Sequence, residues 1–190
     1  MQIISTQKQQ ETLVENHLDL LVPTKLHFFA FLANIMSPYL IMFQTDAPML
    51  PFMFDELSYI IYRLLRLVYK QSKVDERKNL RELMNEQFLN NEDNKMDEMQ
   101  VDIGAAAKTS LHKVSLSAEK KRKLRKECKG AIVCILLKLL ERLPTNKMIV
   151  VQAASLSPQN MHSKHSTCAR RFKSLADNLF AAKKNHIKSF

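Results

Sequence analysis

Apolar residues recur at spacings of three and four through most of the chain, which is the period of an amphipathic helix. The clearest case is 52–71, where Leu57, Ile60, Ile61, Leu64, Leu65 and Val68 make one stripe. Asp55 and Glu56 stand early in that segment, and Arg63, Arg66 and Lys70 late, the order a helix dipole favours. The segment 24–45 is apolar almost all round, which predicts a central helix with Thr24 as its cap and a kink from Pro38 near Asn34. Between these two, TDAPMLPF carries two prolines and reads as a tight connection. Residues 75–89 predict a shorter amphipathic helix through Leu80, Leu83, Met84 and Phe88. An Ala-rich helix over 103–114 follows Asp102.

Ser117 is the expected cap of the longest helix. Its first half, 119–129, is nearly all charged and is expected to project; its second half, 131–143, is nearly all apolar and is expected to be buried. Pro144 ends it. A short helix over NKMIVVQAASL, where IVV could alternatively be a strand, a turn-rich SPQNMHSKHST and a last helix over 167–185, with Phe172, Leu175, Leu179 and Phe180 on one side, complete the pattern. Residues 1–22 read as a leading helix, 89–101 as an exposed, flexible acidic loop, and 187–190 as a tail. The expected fold is all-α: one domain over 23–186, an irregular bundle of about six to eight helices, with 52–71 and 131–143 packed on 24–45.

Composition narrows the function classes. Of 190 residues, 46% are hydrophobic and 25% charged, ordinary proportions for a globular domain with a real core. The only glycines are Gly104 and Gly130, too few for a dinucleotide fingerprint or a phosphate loop, or for the turns of an all-β fold. Three cysteines, Cys128, Cys134 and Cys168, without paired spacing give no disulfide framework and suit a reducing compartment. The N-terminus lacks the basic and apolar regions of a secretory signal. Residues 26–45 hold no Asp, Glu, Lys or Arg, a length that spans a bilayer, but His27, Asn34, Ser37, Pro38 and Gln44 favour a core helix over a membrane span.

The net charge of +10 is unevenly divided. Residues 1–100 hold ten Lys/Arg against fourteen Asp/Glu, a net of −4; residues 101–190 hold nineteen against five, a net of +14. Within the basic half, Lys120, Lys121, Arg122, Lys123, Arg125 and Lys126 form the strongest local signal, a run that an anionic partner would relieve of self-repulsion. It also has the form of a nuclear-import patch, and the bland alternative is a solvated helix face. Arg170, Arg171 and Lys173 make a smaller second cluster. The 120–126 run carries no interleaved aromatic, so DNA binding there would be electrostatic and weakly sequence-specific.

Other constellations are weaker. His162, His165 and Cys168 have zinc-ligand character without the fourth ligand or companion pair a zinc site needs. Cys134, within the apolar half of the long helix, reads as a core thiol, while Cys128, between Lys126 and Lys129, would favour thiolate if exposed. Met36, Met42, Met49 and Met53 read as adaptable packing, or alternatively as a groove for a partner helix. No catalytic constellation emerges, so neither enzyme activity nor a cofactor is expected.

An ordered set of segments is similar to animal proteins derived from hAT-type DNA transposases. FFAFLANIMSPYLIMFQTDAPMLPFMFDELSYIIYRLL resembles their apolar helix, "FQ(T/S)xxP" turn and "hDELhxhhxxLL" helix. VDIGAAA, LRKECKGAIVCILLKLLERLP and ASLSPQNM resemble later family segments in the same order, over residues 24–162. The resemblance implies a helical middle region of a protein that elsewhere carries a zinc finger, an RNase H-like core and a dimerisation region. It transfers no catalytic residue, since no paired acids on strands are present, and Ser157 stands where the family has Asp. The expected function is a non-catalytic, transposase-derived module that contacts DNA or a protein partner through the basic half; the run at 120–126 suggests a nuclear location, and no membrane role is expected. The alternative is a structural module that binds a protein partner or itself; a third, less favoured, is membrane association through 26–45 with the basic run on lipid headgroups.

Overall fold

A computed structural model describes residues 20–44, 46, 48–77, 79–142 and 148–187, with the side chains of 142 and 181–187 excepted. The expected leading helix at 1–22 lies outside the described residues apart from its last three positions, as does the end of the 187–190 tail. Among the described residues the fold is all-α, as the periodicity predicts. Helix α1 spans Val22–Met42, α2 Leu50–Val68, α3 Gln71–Asp75, α4 Leu80–Leu83, α5 Glu86–Asn90, α6 Ala105–Lys113, α7 Ala118–Arg142, α8 Met148–Ala153, α9 Pro158–Ser163 and α10 His165–Ile187. Short 3-10 turns lie at Glu92–Asn94, Glu98–Gln100 and Ala154–Leu156.

The centre of the bundle is α2, not α1. Leu57, Ile60, Ile61, Leu64, Leu65 and Val68 are all buried, and α2 packs against α1, α7, α8 and the turn at 154–156. It starts two residues before the first position expected, at Leu50 with Pro51 preset for a first turn, so Asp55 and Glu56 fall in its second turn. Asp55 accepts a hydrogen bond from Asn160 Nδ2, and the same amide donates to Ala154 O at 3.0 Å, which ties α9 to the start of α2.

The expectation of a central 24–45 helix is therefore corrected. A helix that is apolar all round has no preferred inner side, and α1 buries one face only: Thr24, Phe28, Leu32 and Ile35. That face lies chiefly on α6, where Ala107 and Leu111 are buried and the small side chains allow close approach. Thr24 is not a cap; it lies inside the first turn and donates its hydroxyl to Ser110 Oγ at 3.1 Å. The helix runs through Pro38 to Met42 without a break. Gly104, which precedes α6, has φ +85°, and a Cβ built there would sit 2.6 Å from Phe31 Cγ of α1. Glycine is thus required twice at this position, by backbone and by space.

The 75–89 helix and the acidic loop at 89–101 also differ from expectation. Asparagines break the first into short pieces: Asn79 accepts from Glu82 N at 3.0 Å, Asn85 from Phe88 N at 2.7 Å and Asn91 from Asp93 N at 2.9 Å. Each side chain offers the backbone a local cap in place of a continuing helix. The acidic segment is a pinned strap in which Asn94, Lys95 and Val101 are buried. Met96 N donates to Val68 O at 2.7 Å, Lys70 N to Asn94 O at 2.9 Å and Asp102 N to Leu67 O at 3.1 Å. Tyr69 donates its hydroxyl to Leu89 O at 2.7 Å and stacks on Phe88.

In α7 the buried stripe is Leu124, Cys128, Ile132 and Leu136, which crosses both halves at a spacing of four. The apolar half is less enclosed than its composition suggests, with Ile135, Leu139 and Leu140 only half-buried. The two cysteines of α7 exchange their expected roles: Cys134 is exposed and Cys128 buried. Burial pushes the Cys128 thiol up to about 11, with Glu127 adding in the same direction. In α10, Cys168 and Leu175 face inward, while Phe172, Leu179 and Phe180 are exposed.

Two measurements check this packing. Gly104→Ala should lower the unfolding free energy by roughly 1–3 kcal/mol, whereas Gly130→Ala, in an exposed helix interior with open space at its Cβ, should raise it by about 0.5–1 kcal/mol. Urea denaturation of both variants decides the signs. Iodoacetamide followed by mass spectrometry should label Cys134 in the native protein, and Cys128 and Cys168 only in denaturant.

Candidate nucleic-acid interface

The basic run begins where α7 begins. Ser117 Oγ accepts from Lys120 N at 3.3 Å, the expected cap, and Glu119 occupies the first turn. Leu124 and Cys128 then fix the helix rotation by burying one side. On that rotation the six cations of the run separate into three environments.

Arg125 is drawn inside. It is 9% exposed, and its guanidinium donates from Nη1 to Val101 O at 3.1 Å and to Met99 O at 3.3 Å, carbonyls of the acidic strap. Its Nε is buried without a hydrogen-bond partner among the described residues. Expected as a DNA contact, Arg125 is a structural clamp between α7 and the strap. Arg122 is exposed but paired: Nη2 lies 3.0 Å from Glu98 Oε2 and 3.5 Å from Asp97 Oδ2. Its hydrogen bond holds the Glu98 carboxyl below the ordinary carboxylate value.

The same strap takes a cation that the sequence reading passed over. Lys129 lies 3.5 Å from Glu92 Oε2, and Lys95, almost wholly buried, lies 2.6 Å from Glu92 Oε1. The hydrogen bond from Lys95, with Lys129 beside it, keeps Glu92 ionised below its usual range. Acidic residues of the chain's acidic half thus neutralise one flank of its basic helix.

Lys120, Lys123 and Lys126 remain exposed and Lys121 half-exposed, and none of the four has a carboxylate partner among the described residues. With Arg122, Ser117, Glu119 and Glu98, three of them line a shallow cleft of about 560 Å³. Lys121 does not line that cleft.

The second cluster rides on a separately packed element. The main neighbours of α10 are α8, α9 and the turn at 154–156; those of α7 are α2, α5 and the turn at 98–100. Arg170 and Lys173 are exposed, and the Arg171 guanidinium sits 5.8 Å from the centre of the Phe54 ring on α2. The two clusters thus stand on helices with different main neighbours. His162 and His165 are exposed, whereas Cys168 is buried, so these three do not converge, and no group of metal-ligating side chains forms among the described residues.

Comparison of the chain with family models, curated proteins and solved structures gives no match.

The division of the run has a direct test. Arg125→Gln removes the clamp and should lower the unfolding free energy by about 1–3 kcal/mol, because two strap carbonyls lose a charged donor. Lys126→Gln, at an exposed position, should stay within about 0.5 kcal/mol of the parent. Equal effects in urea titrations of the two variants would contradict the division.

Proposed function

We propose that the chain is a non-catalytic helical module of a transposase-derived protein, which contacts DNA without sequence preference through the start of α7. One observation carries the reading. Lys120, Lys121, Lys123 and Lys126 stand unpaired on one helix end while the neighbouring cations are held by the strap. Unpaired ammonium groups crowded into two helix turns repel one another, and a phosphate backbone relieves that repulsion and releases its own counterions. The resemblance over 24–162 supports the transposase-derived part, and the basic run supports a nuclear location. The lysines supply point charges with no stacking aromatic or planar fork among them, which favours backbone contact over base reading. Arg170 and Lys173 ride on α10, whose main packing partners differ from those of α7, and are a secondary site.

Fluorescence anisotropy of a labelled short duplex across a salt series tests the proposal. Four phosphate contacts give a plot of log K against log salt with a slope of about −3 to −4. Changing the four lysines to Gln should weaken binding at low salt and flatten the slope towards zero. Unaltered binding by that variant would move the site elsewhere, and no binding by the parent at low salt would end the DNA reading.

A further inference from the structure

We propose that the outer face of α1 is a self-association surface, on which a second copy of this chain docks antiparallel. The inference stands apart from the DNA reading and uses a different surface. With Phe28, Leu32 and Ile35 turned in, the opposite side of the helix presents Leu26, Phe29, Ala33, Ser37 and Leu40 to solvent. Leu26 is 63% exposed, Phe29 59% and Leu40 52%. Their spacings of three and four are those of a seam that meets another helix. A water-facing helix side carries charge instead, yet no Asp, Glu, Lys or Arg occurs from 26 to 45.

The occupant follows from the order of side chains along the seam. A two-fold interface is self-complementary, so each residue must suit the one it meets in the other copy. An antiparallel pair centred on Ala33 sets Leu26 of one copy against Leu40 of its partner, and the bulky Phe29 against the small Ser37. Alanine meets alanine at the crossing point, which lets the backbones approach. The Ser37 hydroxyl already donates to Ala33 O at 2.8 Å, so it demands no water and can enter a dry contact. An oppositely charged partner would find no charge to recognise on this face. The exposed parts of Leu26, Phe29, Leu40 and Ile41 amount to roughly 400 Å², about half of what one side of a standard interface buries. The pairing is therefore expected to be concentration-dependent, with dissociation in the micromolar range or weaker.

Sedimentation of the full chain over a concentration series should show the average mass rising from monomer towards dimer. Leu26→Glu and Leu40→Lys, each alone, should weaken association by at least about tenfold, since each buries an unpaired charge. Both substitutions in one chain should restore it, because the antiparallel register brings each new carboxylate to a new ammonium of the other copy. In a parallel register the double variant stays dissociated, as like charges face each other. Both positions are exposed, so far-UV circular dichroism should be unchanged throughout. A chain that is monomeric at every concentration overturns the proposal, whether or not it binds phosphatidylcholine vesicles through the same stripe. So does association that Leu26→Glu leaves intact, or a double variant that is not restored.

Discussion

The fold depends on how the end of α2 is satisfied. The last carbonyls of any helix lack partners inside it, and at a buried end they must find donors elsewhere. Here the Leu67 and Val68 carbonyls accept from Asp102 and Met96, and Lys70 N returns a bond to Asn94 O. The donors all belong to the segment with the most acidic composition in the chain. A polar stretch with no apolar period is thereby held against the core, with Val101 and Ile103 buried at its end. The position of α7 follows, because the strap's free carbonyls at Met99 and Val101 face Arg125.

That arrangement decides which cations are available. Arg125 is immobilised by backbone, Arg122 and Lys129 by carboxylates, and the four lysines at the helix start by nothing described. The distinction is energetic as well as geometric. A buried guanidinium cannot leave its carbonyls without a desolvation cost, whereas the exposed Arg122 pair is screened by solvent and can exchange one anion for another. The ridge proposed for phosphate contact is therefore a remainder, shaped by what the strap consumes. Composition alone overstates it, since six charges in seven residues reduce to four that are uncommitted.

The sequence made the local parts legible and left the long-range ones hidden. The α2 stripe and the Ser117 cap could be read because each rests on residues within a few positions of one another. The placement of α1 could not, because a segment apolar on every side gives periodicity no direction to report. The strap was missed for a related reason: its bonds to Val68 and Leu67 join residues about thirty positions apart and leave no periodic trace. A usable signal did exist in Asn79, Asn85, Asn91 and Asp97, side chains that cap in turn and mark a run of short turns. The cysteines reversed because a helix buries positions, not composition. Leu124, Cys128, Ile132 and Leu136 lie at a spacing of four, and Cys134 falls off that line however apolar its neighbours.

The two proposed surfaces bear on each other through charge. Four uncommitted lysines release few counterions, so a single copy would hold a duplex weakly at physiological salt. Two copies joined through α1 would present two such ridges to one polyanion, and the second contact would form at the effective concentration set by the first. Uncharged α1 is suited to that joining, because a seam without ionic groups is insensitive to the salt that weakens phosphate contact. The roles fall on different residues: the outer face of α1 can associate while the basic helix stays solvated, although Leu21 and Lys25 at the start of α1 line one cavity with Lys120 and Lys123. Association and anion binding would then strengthen one another without sharing a residue.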